Sequence, residues 1–138
     1  MNEERQQHLE FIHNTIARMN ENSFKIKELA VLLATVVLTI YATDKSAKVL
    51  LVSIFPTIIL WILDTYYLQQ ERKFRGVYDD VAGLKNINDV KTYEMPIQEY
   101  TSKKDKKLCL FRILFSKTIL WFYALIILVP AIFYLITK

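Results

Sequence analysis

The sequence predicts an all-α membrane protein with three transmembrane helices and a cytosolic layer of two amphipathic helices. Three observations predict it. Of 138 residues, 53% are hydrophobic while only two are glycine and three proline, too few turn formers for a loop-rich soluble domain. The apolar residues are gathered into runs at 29–42, 49–68 and 118–136, the clustering that a bilayer core demands. The cations lie between those runs, with fifteen of the eighteen Lys and Arg either before the first or between the second and third. By the positive-inside rule, the N-terminus and the long middle segment are then expected in the cytosol, and the turn at Lys45 and the C-terminus outside. Topology thus accounts for the net charge of +4, and nucleic acid is not an expected partner.

Four segments follow: a cytosolic amphipathic helix over 1–24, a transmembrane hairpin over 25–68, a cytosolic helix extension and basic loop over 69–108, and an interfacial start with the third span over 109–138. In the first, Leu9, Ile12, Ile16 and Met19 recur at spacings of three and four, a narrow apolar stripe that a sister subunit, another helix or the lipid headgroups must cover. Asn20, Asn22 and Ser23 are good caps and poor helix interiors, so a bend is expected there, with Ser23 capping the span beyond it.

The strictly apolar part of that span is short of the roughly twenty residues a crossing wants. Phe24 and Ile26 extend it, and Lys25 and Lys27 snorkel back to the interface. A turn at 43–48 joins it to the second span, with Asp44 or Ser46 as cap. Thr35 and Thr39 lie one turn apart on span one, as do Ser53 and Thr57 on span two. These hydroxyls serve either helix packing or a polar path. Pro56 frees the carbonyl of Val52 and predicts a local kink. Asp64, four residues from the end of its run, calls for a cationic partner at like depth, either Lys27 or Lys117.

Past residue 68 the helical period continues through Phe74, Val77, Val81 and Leu84, a second stripe able to cover the first, and Gly83 is the expected stop. Over 86–107 the period fades, and the alternation of Tyr93, Met95 and Ile97 permits one short strand. Arg72, Arg75, Lys103, Lys104, Lys106 and Lys107 suit an anionic lipid or signal. Cys109, the single cysteine, is either a buried small hydrophobe or an acylation site, and no disulfide framework is open to the chain.

Three stretches, NSFKIK at 22–27, LDTYYLQQERKFRGVYDDV at 63–81 and FSKTILWFY at 115–123, resemble a group of small, mostly uncharacterised bacterial membrane proteins. The plan of a two-span hairpin with flanking cytosolic helices is also similar to SLATT-type membrane effectors of bacterial conflict systems, from which the third apolar run departs. The resemblance implies a multi-pass protein of the bacterial inner membrane.

Enzyme chemistry is not expected. Two glycines cannot build a phosphate-cradling loop, and His8 and His13 are five apart, off the spacing that puts two metal ligands on one helix face. No catalytic residue, metal or cofactor is assigned. The leading functional expectation is an oligomeric membrane effector that perturbs or permeates the bilayer on a cytosolic signal. The alternative is a non-permeating anchor or scaffold for a soluble partner. Expected partners are membrane lipids, further copies of the chain, and a soluble partner or nucleotide signal on the cytosolic side.

Overall fold

The computed structural model describes residues 3–84, 90–101 and 105–137. Among the described residues there are four α-helices, α1 (Glu3–Asp44), α2 (Ala47–Val81), α3 (Leu110–Leu114) and α4 (Lys117–Thr137), with single 3-10 turns at Ile97–Glu99 and Lys106–Leu108. There is no strand among the described residues. Helices α1, α2 and α4 are each long and apolar enough to cross a membrane.

The helix does not end and restart at Asn20–Ser23. Helix α1 runs unbroken for 42 residues, about 63 Å at 1.5 Å per residue, twice the roughly 30 Å of a hydrocarbon core. Ser23 is no cap: it is buried inside the helix and donates its hydroxyl to Asp64 of α2. That partner removes the local backbone competition through which serine disfavours helix interiors. Helix α2 is equally continuous over 35 residues, through Pro56. Ser46 stands at its N-cap position in extended backbone but makes no side-chain cap bond, and Lys45 turns the chain at φ +50°.

The two long helices form an antiparallel hairpin in register from end to end. Near the open end, Arg5 Nε donates to the Val81 carbonyl at 2.8 Å, placing a cation at the negative end of the α2 dipole. There the Leu84 amide donates to the Asp79 carbonyl and the Gly83 amide to that of Asp80, with Gly83 at φ +75°, a Schellman stop that requires a residue free of Cβ strain. Farther in, Ile12 meets Val77 and Lys27 meets Asp64. Helix α4 lies alongside, parallel to α1: its start packs Ile119 and Tyr123 against Ala30, and its end brings Thr137 within 3.0 Å of the Tyr41 hydroxyl.

Two cores result. At the apolar end, Ala30, Ile113, Ile119 and Tyr123 pack with Leu60 and Trp61. At the polar end, Ile12, Val77, Val81, Tyr100 and Leu108 pack with Leu9, Ile16, Val90 and Met95. The segment around Tyr93 is therefore a packed strap over the hairpin and not the short strand that its alternation permits. Tyr100 packs closely on Gly76, where an added Cβ would stand 2.7 Å from the ring, so the glycine is what admits the aromatic ring to the helix surface.

Candidate functional site

The most unusual chemistry lies where the polar half of the hairpin gives way to the apolar half. Asp64 is fully buried. Its Oδ1 accepts from Ser23 Oγ and, at 2.7 Å, from Lys27 Nζ, which also donates to Ser23 Oγ at 2.7 Å. Ser23 and Lys27 are one turn apart on α1, so a single helix face delivers both donors to one carboxylate. No donor among the described residues stands in ordinary hydrogen-bond geometry to Oδ2. The Tyr123 phenol of α4 stands beside the carboxylate, donates to the Leu60 carbonyl at 3.3 Å and stacks on Trp61 at 5.9 Å. Three helices thus meet at one buried charge, whose pairing is a condition of its burial.

Of the two cations considered for Asp64, Lys27 makes the pair and Lys117 does not. Lys117 is exposed at the first position of α4, while Ile119 and Tyr123 form the face of that helix turned toward the hairpin. Lys27 reaches Asp64 from across the hairpin and keeps a quarter of its side chain exposed, on a groove lined by Leu32, Thr35 and Phe122.

The hydroxyl pairs are not brought together. Thr35 and Thr39 are exposed and donate to the carbonyls of Val31 and Thr35, and Thr43 extends the stripe by bonding to Thr39. Ser53 and Thr57 donate to Leu50 and Ser53 carbonyls and line a separate cleft of about 450 Å³ between α2 and α4. Every one of these hydroxyls is satisfied by its own helix, so none requires water or a partner.

Of the two stripes, Leu9, Ile12, Ile16, Val77 and Val81 share the polar-end core; Phe74 is buried and Met19 half-buried outside it. Leu84 does not join them and is 72% exposed, because the left-handed turn at Gly83 takes the chain off the helix axis before it. Arg75 is paired with Glu71 and Arg72 donates to the Lys107 carbonyl at 3.0 Å, so both arginines are engaged within the chain. Lys106 and Lys107 are exposed. Lys103 and Lys104 lie outside the described residues.

By its sequence spacing His8 is only a poor metal ligand, yet it anchors the strap. It is 1% exposed; its Nδ1 accepts from the Tyr93 amide at 3.3 Å and its Nε2 faces the Glu94 carbonyl at 3.1 Å. A ring that accepts at Nδ1 and donates at Nε2 is the neutral Nε2–H tautomer. The signal available in the sequence was periodic: His8, Ile12, Thr15, Ser23, Ile26 and Ala30 are all buried, a face rotated slightly from the Leu9–Met19 stripe and including polar residues that an apolar-only pattern passes over. His13 is exposed, so the two histidines share no site.

Comparison with known proteins finds no matching family model, no matching curated protein and no matching solved structure.

Proposed function

We propose that this chain is a membrane effector of the bacterial inner membrane, related to the small membrane proteins it resembles, with its N-terminus and polar lobe in the cytosol. In this reading the lobe receives a partner or nucleotide signal and the spans, assembled as an oligomer, perturb or permeate the bilayer. The observation that carries the reading is the continuity of α1 and α2 across the polar-to-apolar boundary. With no loop or glycine hinge at that boundary, a displacement in the lobe is transmitted to the spans along two rods clasped by Asp64, Lys27 and Ser23. In this reading the clasp, paired in the structure, opens when the lobe is displaced, and that opening is the two-state element the transmission requires. Three helices cannot enclose a water path alone, so permeation requires several copies. Thr35, Thr39 and Thr43, being exposed, are the hydroxyls placed to face a shared axis.

The anchor reading has its own support in the same hydroxyls, since each is satisfied by its own backbone and none demands a water-filled path. Induction in cells separates the two. Under the effector reading, wild type expressed with its genomic neighbours slows growth and admits an otherwise impermeant dye, and both Thr35→Val with Thr39→Val and the lobe-opening Ile12→Asp lose the effect. A wild type that inserts, is harmless and admits no dye with those neighbours present overturns the effector reading and leaves the anchor.

A further inference from the structure

The segment joining the polar lobe to α4 is held rigidly from behind and bare in front. Three side chains of α2 bond its backbone: Gln69 Nε2 to the Leu108 carbonyl at 2.7 Å, Arg72 Nη1 to that of Lys107 at 3.0 Å, and Trp61 Nε1 to that of Leu114 at 3.3 Å. Ile113 is completely buried beneath it. The outer side shows the reverse. Phe111 is 75% exposed, Phe115 60% and, one turn into α4, Trp121 68%. Interleaved with these aromatics are Lys106, Lys107, Arg112 and Lys117, all exposed, none in an ion pair among the described residues. The nearest acid in sequence, Asp105, is occupied in capping the Lys107 amide at 2.8 Å.

We propose that this elbow, residues 106–117, is a preorganised site for anionic phospholipid headgroups, with Arg112 and Lys117 holding the phosphate and Phe111 and Phe115 seated among the first acyl carbons. The proposal rests on the reading of α4 as a membrane span. Charge complementarity selects the occupant: four cations without acidic partners among the described residues face the depth at which a span beginning at Lys117 meets the headgroups. Aromatics beside them are the residues that partition to that layer. Preorganisation matters because the bonds from Gln69, Arg72 and Trp61 fix the backbone before any lipid arrives, so binding costs little ordering. Since Trp61 also stacks on Tyr123, lipid held at the elbow is joined by direct contacts to the Asp64 clasp.

The test uses the full chain reconstituted in phosphatidylcholine vesicles doped with spin-labelled phosphatidylglycerol or spin-labelled phosphatidylcholine, reading the immobilised fraction of each. The expected result is a several-fold preference for phosphatidylglycerol at low salt that shrinks as salt is raised. Arg112→Gln with Lys117→Gln should reduce the preference by on the order of five-fold per cation removed, up to its complete loss. Arg112→Lys with Lys117→Arg should retain it, and so should Lys25→Gln, away from the elbow. Equal immobilisation of the two lipids by wild type, or a preference indifferent to the loss of Arg112 and Lys117, overturns the site while leaving the span intact. A chain that fails to float with vesicles, or is stripped from them by carbonate, overturns the span itself and the site with it.

Discussion

The two halves of the helical hairpin are built from the same two helices and held together by opposite means. In the polar half, polar side chains reach across to other segments: Arg5 to Val81, His8 to Tyr93 and Glu94, Gln7 to Tyr93, Gln69 to Leu108. In the apolar half, Thr35, Thr39, Thr43, Ser53 and Thr57 bond to their own preceding turns, and large apolar residues such as Leu51, Val52 and Phe55 are turned outward. The contrast follows from the solvent each half is suited to. Where water competes for every polar group, a bond to a distant segment is worth making because it holds a strap over an apolar core. Where no water is present, a hydroxyl satisfied by its own helix leaves nothing exposed that hydrocarbon would penalise. The clasp of Asp64 obeys neither pattern, being a buried charge met by two donors from a neighbouring helix.

The largest effect is therefore expected at the clasp. Asp64→Leu leaves Lys27 without its anion and should cost about 3–5 kcal/mol of stability, whereas Asp64→Leu combined with Lys27→Met should recover most of that loss. Thermal unfolding in detergent measures it. If the double variant is no more stable than Asp64→Leu alone, the pair is not what couples the two halves at their boundary.

A smaller effect belongs to the polar half. His8→Ala takes the partner from the Tyr93 amide and the Glu94 carbonyl, and about 1 kcal/mol is expected for each bond lost. The loss should be local, so hydrogen exchange and protease cleavage should rise at 90–101 before α1 or α2 opens. Uniform exposure of the whole hairpin in this variant would show that the strap is not a separate layer.

The smallest effect is predicted in the apolar half. Thr35→Val with Thr39→Val removes hydroxyls bonded only to their own turns, and stability in detergent should change by no more than about 0.5 kcal/mol. A large loss would mean that these hydroxyls have partners outside the single chain, which would sharpen the contrast in favour of packing between copies.

Much of this architecture was legible in the chain itself. Three apolar runs and the near absence of Gly and Pro lead to three long helices because composition and period act locally, residue by residue. Gly83 announced a helix end for the same reason, since only glycine takes a left-handed turn without strain. Asp64 stood out because a carboxylate in an apolar run needs an explanation, and the sequence narrowed its partner to two lysines. Tertiary structure alone chose between them: the register of the hairpin sets Lys27 opposite Asp64, while the face of α4 that packs turns Lys117 outward. It likewise decided that α1 would continue through Asn20–Ser23, because Ser23 found Asp64 as partner and had no need to cap. It buried His8, and it laid the strap around Tyr100 on Gly76. Each of these outcomes depends on residues more than twenty positions apart meeting at a particular depth and angle, which a local pattern cannot encode and packing settles only when all the helices are in place.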